Sequence, residues 1–437
     1  MDNSRQLSFE ILNKIQKNGA FSNIILDTYL EKEKPDIREK KYISLLVYGV
    51  TERQKTLDYN LSLYLRQPLK KLKPEVLTIL RMGAYQLLFT DKIPHSAAVN
   101  ESVKLTKSNK CAFASGLVNA VLRNISKNGL VLPEERDENR LSVEYSCEKW
   151  ICDEWISHFG IDNTKRIFEN SFGQVPVYIR VNSLLSDTLT VKERLEKEGF
   201  EVKDSEELPF TLKIEKGGNP ALSKSYEEGL FHVQDISSQI CCELTKARKN
   251  SRILDVCAAP GGKSFTMAQM AENKGEIISC DIYPHRLKLI EEGAKRLKLK
   301  NIHTLENDAS KENNSIGKFD TVLCDAPCSG LGIIRRKPEI RYKSKEDIDK
   351  LKVLQYHILC TTSNYVSDKG RLIYSTCSLN REENENISKR FLMEHSDFLP
   401  VKIESFSSFG RVEENMLTVL PFMKDTDGFF ISVFEKK

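Results

Sequence analysis

Two short motifs place a thiol where a thiol can react: Asp325-Ala326-Pro327-Cys328-Ser329-Gly330 and Ser375-Thr376-Cys377-Ser378. Each closes an apolar run that reads as a β-strand, DTVLCD (320–325) and RLIYSTC (371–377). The loop after a strand opens to a cleft, whereas most cysteines behave as small buried hydrophobes. A thiol there, with the carboxyl group of Asp325 nearby, suits a nucleophile working beside an acid. Metal binding is the competing chemistry for Cys324-x₃-Cys328. No metal is expected, because Cys324 lies within the strand facing core, no third ligand follows, and the chain has no CxxC pair.

A second set of residues suits a nucleoside-bearing cofactor. Strand ILDVC (253–257) runs into Cys257-Ala258-Ala259-Pro260-Gly261-Gly262-Lys263-Ser264. The Gly-Lys-Ser ending resembles a phosphate loop, but that pattern needs Gly at position 257, which is Cys, and no G-x-G-x-x-G is present. What remains is a small-residue turn that lets a ligand approach backbone amides at a helix N-terminus, or else simply a tight strand–helix connection. Asp281 ends EIISCD (276–281), where a carboxylate can accept hydrogen bonds from both ribose hydroxyls, and Asp308 ends IHTLEND (302–308). Either aspartate alone could be a helix cap. Both behind one Gly-rich turn favour a nucleoside without a pyrophosphate.

These motifs need a scaffold that brings strand ends together. From about residue 236 strands and helices alternate, with near-continuous apolar strand cores, which predicts an α/β fold with a doubly wound sheet covered on both faces. Ligands bind such sheets at the carboxyl ends of the strands, which puts Cys257, Asp281, Asp308, Asp325 and Cys377 on one rim. Upstream, VPVYIRVN (175–182), TVKERLEKEG (190–199), FEVKD and FTLKIEK read as β-α-β-β, a small α+β module of ferredoxin-like type. Residues 5–126 carry apolar positions at three- and four-residue steps, as in Val76-Leu77-Leu80, and predict an all-α bundle. The expected parts are therefore 1–128 (helical), 129–235 (a polar linker starting at Asn128-Gly129, then the module) and 236–437 (catalytic). At about 150 residues per domain, 437 residues also suggest roughly three.

Hydrophobic residues make up 40% of the chain and charged residues 29%; the 21 Gly and 14 Pro are too few for a low-complexity chain, and no window approaches the roughly 18 consecutive apolar residues of a membrane span. The N-terminus has neither a basic start nor an apolar signal core, so a cytoplasmic protein is expected. Its eleven cysteines, an odd number, are then expected to be reduced. The net charge of +4 hides an asymmetry: residues 1–128 hold 21 Lys and Arg against 12 Asp and Glu, or +9, leaving −5 for the other 309 residues. Such a basic third suggests a surface that meets phosphate, the alternative being merely solvated helix faces.

The motifs CAAPGGKS (257–264), CDIYPHRL (280–287), NDAS (307–310), DTVLCDAPCSGLGIIRRKPEIR (320–341), LIYSTCSLNREENE (372–385) and DGFFISVFEK (427–436) resemble the RNA 5-methylcytosine methyltransferases of the RsmB/NOP/NSUN family. Within it, GAYQLLFTDKIPHSAAVNESV (83–103) and ASGLVNAVLRNI (114–125) are similar to the NusB-type RNA-binding domain of the subgroup acting on 16S rRNA. The resemblance implies a class I, Rossmann-like methyltransferase fold using S-adenosyl-L-methionine. It implies Cys377 as the nucleophile that adds to carbon 6 of cytosine, Asp325 as the group at ring nitrogen 3, and Cys328 as an assistant in releasing the product. It further implies that Cys257, Ala258, Ala259, Pro260, Gly261, Gly262 and Lys263 wrap the cofactor, that Asp281 binds its ribose, and that Asp308 reaches its adenine. Asp325 is expected to contact this cofactor too, and Lys263 to neutralise a nearby carboxylate. Arg335, Arg336, Lys337 and Arg341 are expected to supply phosphate contacts. The partner it implies is 16S rRNA or a small-subunit precursor, and a monomer is expected. The same motifs on transfer RNA, or a non-catalytic RNA-binding assembly factor, are the alternative readings.

Overall fold

The computed structural model describes residues 3–18, 22–205 and 208–437; positions 19–21, part of the expected helical stretch, lie outside the described residues. The chain forms two compact units, residues 1–172 with 336–344, and residues 173–335 with 345–437.

The first unit is helical: α1 (Asn3–Asn18), α2 (Ser22–Glu33), α3 (Ile37–Glu52), α4 (Gln54–Ser62), α5 (Pro74–Phe89), α6 (His95–Ser108), α7 (Ser115–Asn128), α8 (Arg140–Glu144), α9 (Lys149–Phe159) and α10 (Ile161–Asn170). Local chemistry sets the helix ends. Asp36 accepts from the Glu39 amide while Glu39 accepts from the Asp36 amide, a capping box that starts α3. Pro74 opens α5, where its missing N–H costs nothing. Residues Val76 to Leu87 of α5 are all buried, because α1, α3, α4, α6 and α7 pack around it.

Residues 336–344 belong to this unit, which sequence periodicity did not indicate. Arg341 is 0% exposed; its guanidinium donates to Tyr145 O (3.1 Å) and to Ser171 O and Oγ (2.7 Å each). The Tyr342 hydroxyl donates to Thr51 O at 2.8 Å. Arg341 is thus corrected from a phosphate contact to a buried structural residue: its guanidinium has no exposed surface and is spent on Tyr145 and Ser171 rather than offered to RNA.

The second unit holds two sheets. The smaller contains β1 (Val177–Val181), β2 (Glu201–Asp204), β3 (Thr211–Lys216) and β4 (Phe231–Val233), all antiparallel in the order β2-β3-β1-β4, with α11 (Thr188–Lys197) between β1 and β2 and α12 (Lys224–Glu227) before β4. Elements β1, α11, β2 and β3 form the expected β-α-β-β pattern, and β4, three residues long, adds a fourth strand that was not expected.

After α13 (Ile236–Thr245) comes the larger sheet: β5 (Arg252–Asp255), α14 (Gly262–Met270), β6 (Glu276–Asp281), α15 (Pro284–Arg296), β7 (Ile302–Glu306), β8 (Phe319–Asp325), α16 (Lys345–Ser363), β9 (Val366–Thr376), α17 (Glu385–Glu394), β10 (Phe398–Pro400), β11 (Gly410–Glu413), β12 (Met416–Val419), α18 (Pro421–Lys424) and β13 (Phe429–Lys436). The order is β11-β12-β13-β9-β8-β5-β6-β7, with β10 beside β13. Strands β5 to β9 are parallel, and β10 to β13 add an antiparallel edge.

Side chains alternate across this sheet. Ile253, Leu323 and Ile373 enter the core with α13, α14 and α15, while Leu254, Val322, Cys324, Leu372 and Tyr374 enter the opposite core with α16 and α17. Both faces are covered, which is why the strands read as continuous apolar runs. Strand order reverses between β5 and β8, and the crevice at that switch point is where such sheets take their ligands.

Candidate active site

The switch point brings the two sides of the site together. Asp325, at the carboxyl end of β8, accepts from the Lys263 ammonium at Oδ2 (2.7 Å) and from the Ser375 hydroxyl at Oδ1 (2.8 Å). Lys263 starts α14, so a single ion pair spans from the β5 loop to the β8 loop. Burial opposes its charge, but Asp325 and the thiols of Cys241 and Cys242 outweigh burial, and the Lys263 pKa is raised.

The thiols of the two loop motifs are neighbours. Cys328 Sγ and Cys377 Sγ lie 3.1 Å apart, each half-buried. The hydrogen bond to Cys377 and then burial push the Cys328 thiol well up, with the charges of Glu383 and Asp325 adding to the effect. Cys328 therefore holds its proton, and either sulfur can donate across the contact. Cys324 is in the core, away from this rim.

The Cys377 loop is also pinned from behind. Gly332 N–H donates to Cys377 O (2.9 Å), and Gly428 N–H donates to Gly332 O (2.9 Å). A Cβ at Gly332 would fall 1.9 Å from Gly428 O, so only glycine allows this crossing.

The expected cofactor loop lies between β5 and α14. Gly261 has φ +108°, and a Cβ there would meet the Phe265 ring at 2.5 Å. No side chain caps the amides of the first turn of α14. Ala258 is fixed by its amide, which donates to Cys280 O at 2.8 Å. Cys257 is half-buried, with a thiol pushed up by burial, and Pro260 follows Ala259 in the turn.

Asp281 is buried at the end of β6 and accepts from Tyr283 N–H (3.1 Å) and the Arg286 guanidinium (2.9 Å). Arg286 also donates to Ala259 O at 3.0 Å, tying the β6 carboxylate to the Gly-rich turn. Asp308 accepts from Ser310 Oγ (2.6 Å) and Lys311 Nζ (2.9 Å), and these hydrogen bonds hold its carboxyl below the usual range. Between them, Asn307 Nδ2 is buried without a partner.

Of the other basic residues, Arg335 pairs with Asp425 at 2.7 Å, and Arg336 and Lys337 are part-exposed. Among the described residues no cluster of three His, Cys, Asp or Glu could hold a metal ion.

Sequence reasoning singled out neither Arg286 nor Glu383. Arg286 lies within the quoted PHRL stretch, five residues beyond Asp281, and that spacing over a strand–helix turn was the available signal. Asp255, also unremarked, is buried beneath the turn. Its Oδ2 accepts from Ser264 Oγ (2.8 Å), while Oδ1 has no partner. Burial raises its pKa to about 7, with Asp325 adding to the rise and the Ser264 hydrogen bond opposing it. An aspartate with a folded pKa above its unfolded one contributes nothing below about pH 4, and destabilises increasingly as pH rises toward the folded value near 7. Asp255→Asn should therefore gain stability over the native chain between pH 4 and pH 8, by on the order of 4 kcal/mol in full. Thermal midpoints of both proteins across that range check this; a constant difference would contradict it.

Comparisons with known proteins cover the whole chain. Residues 243–435 match the family model "16S rRNA methyltransferase RsmB/F", residues 2–127 match the NusB family, and residues 148–220 match the ferredoxin-like domain of RsmF/B-like methyltransferases. The chain is 34% identical, over 99% of its own length and 98% of the relative's, to the probable ribosomal RNA small subunit methyltransferase B of Bacillus subtilis (strain 168). It is 32% identical, over 100% of both chains, to the protein of the same description from Synechocystis sp.. The crystal structure of PH0851 superposes with a TM-score of 0.83 at 26% identity, covering 98% of this chain and 97% of the other.

Proposed function

Because the chain belongs to the RsmB/F family of 16S rRNA methyltransferases, we propose that it transfers a methyl group from S-adenosyl-L-methionine to carbon 5 of a specific cytosine in 16S rRNA through a covalent Cys377–cytosine intermediate. The observation that carries this reading is the 3.1 Å contact between Cys328 and Cys377 beside the Lys263–Asp325 ion pair. A methyltransferase acting on a nitrogen or oxygen needs no such pair of thiols.

The donor set suits S-adenosyl-L-methionine. The Gly261–Gly262 turn would admit a ligand close to backbone, Asp281 keeps lone pairs for a diol, and the unpartnered Asn307 Nδ2 and the Asp308 carboxylate would serve a base with both acceptors and an amine. Cys257 to Lys263 would line the methionine and ribose portion. When bound, the cofactor supplies an electrophilic methyl group. Asp281→Asn should weaken its binding by about 10- to 100-fold, the scale of losing charged hydrogen bonds to a diol. Calorimetric titration checks this, and unchanged affinity would move the ribose elsewhere.

The chemistry follows from the weak nucleophilicity of cytosine carbon 5. Cys377, as thiolate, adds to carbon 6, and Asp325 holds ring nitrogen 3 and the exocyclic amine, with the Lys263 ammonium supplying the proton-donating capacity of the pair. Carbon 5 becomes enamine-like and takes the methyl group. Water takes the carbon 5 proton, the electron pair left behind re-forms the carbon 5–carbon 6 double bond, the carbon 6–sulfur bond breaks with its pair leaving on Cys377 as thiolate, and the proton at ring nitrogen 3 returns to the Asp325–Lys263 pair. Cys328, protonated and in contact with Cys377, hydrogen-bonds the departing thiolate and so eases release.

The target base must leave its stack, at a cost of a few kcal/mol that is least in loops and open hairpins. The +9 helical region over 1–128 would offset part of that cost through phosphate contacts. We further assign residues 1–128 to RNA binding, 129–235 to the linker and module, and 236–437 to catalysis, in a monomer acting in the cytoplasm. No helix among the described residues is long and apolar enough to cross a membrane. Bisulfite sequencing of 16S and transfer RNA from a deletion strain tests the target. One 16S cytosine should lose its mark; an intact 16S pattern with a lost transfer RNA mark would overturn the proposed substrate.

A further inference from the structure

The two cysteine loops share one buried carboxylate. Glu383, 0% exposed, lies in the turn before α17. Its Oε1 accepts from Ser329 N–H (2.8 Å) and Gln355 Nε2 (2.8 Å), and its Oε2 accepts from Ser378 Oγ (2.7 Å) and from the Ser329 hydroxyl. Ser329 follows Cys328 directly, and Ser378 follows Cys377 directly. Gln355, from α16, also donates to Pro327 O at 2.9 Å, on the other side of Cys328. The neighbouring Asn384 is engaged in the same way: its Oδ1 accepts from Thr376 Oγ1 (2.6 Å), and its Nδ2 donates to Ser378 O (2.9 Å).

Four donors converge on Glu383, and every one comes from a segment that carries or braces a reactive thiol. A buried carboxylate with all its donors supplied is rigid, because each broken bond would leave a buried polar group unsatisfied. We propose that Glu383 is a positioning residue that sets the spacing between the Cys328 and Cys377 sulfurs. It touches neither substrate nor sulfur and acts through Ser329 and Ser378. In catalytic terms this rests on the proposed roles of the two thiols: if Cys328 assists departure of Cys377, the step most sensitive to their spacing is release.

The test reads spacing independently of catalysis. Diamide takes two electrons and two protons from adjacent thiols and leaves a disulfide, so the rate of Cys328–Cys377 disulfide formation, followed by mass spectrometry on the full-length protein, reports how often the sulfurs meet. Glu383→Gln keeps the shape but places an amide where two hydroxyls donate. It should close this disulfide about tenfold more slowly, the factor expected for loss of a buried charged hydrogen bond, while alkylation of Cys377 by iodoacetamide stays within about twofold. In turnover, kcat should fall, KM for S-adenosyl-L-methionine should stay unchanged, and covalent enzyme–RNA adduct should accumulate.

Ser378→Ala removes one bond from the far side and should show the same pattern at about threefold, and Glu383→Asp should recover part of the rate. If Glu383→Gln does not fold, Ser378→Ala decides alone. Wild-type disulfide rates in the folded variants would overturn the proposal. Slow disulfide formation without adduct would support the spacing role and instead refute the release role of Cys328, so the two failures are distinguishable.

Discussion

Cys377→Ser is expected to reduce methyl transfer by about 10⁴-fold or more, the scale on which removal of a covalent nucleophile acts. Serine preserves the backbone of the loop, including the Gly332 N–H bond to the carbonyl at 377. What it loses is the thiolate. A serine hydroxyl does not ionise at neutral pH, and neither Cys328, itself held protonated, nor Lys263, held charged by Asp325, can take its proton. Without addition at carbon 6, carbon 5 stays unreactive toward a methyl cation equivalent. Transfer of radiolabelled methyl to a 16S fragment measures the loss. Activity within tenfold of the native enzyme would remove Cys377 from the role of nucleophile.

Cys328→Ala should do the opposite to the intermediate. The first methyl transfer should proceed within about tenfold of the native rate, since the nucleophile and Asp325 are untouched, while product release slows by about 10²- to 10³-fold, the range for losing a positioned proton donor. The reason is the 3.1 Å sulfur–sulfur contact. Breaking the carbon 6–sulfur bond returns negative charge to Cys377, and the Cys328 S–H is the donor placed to receive that charge. A stable enzyme–RNA species in denaturing gels, dependent on S-adenosyl-L-methionine, is the expected readout. Complete turnover with no adduct would show that release runs without Cys328.

Much of this site was legible because its parts sit at strand ends, where loop motifs stand out against apolar runs. Asp281, Asp325, Cys328 and Cys377 could be ordered along one rim from the βαβ rhythm alone, and Gly261 of the turn follows from the small space beside Phe265. Interactions with no local signature were not legible. Arg341 lies in a run of basic residues, and charge alone suggests phosphate; only the fold shows that its donors end on carbonyls at Tyr145 and Ser171, some 170 to 196 positions away in the chain. Glu383 lies in a charged run with no signal of its own; α17 starts two residues later, and the carboxylate turns inward to the cysteine loops. The β11–β12 hairpin was missed because four-residue strands are too short to establish an alternating pattern. The Lys263 amine could not be placed from sequence, since a flexible side chain at a helix start can reach several strand ends.

The most direct test of the central claim is to trap the adduct of the Cys328→Ala enzyme on a 16S fragment, digest protein and RNA, and identify the cross-linked peptide by tandem mass spectrometry. The account predicts one peptide, containing Cys377, whose sulfur carries a nucleotide of 5-methylcytosine. An adduct on any other cysteine, or methylated RNA formed with no adduct at all, would contradict it.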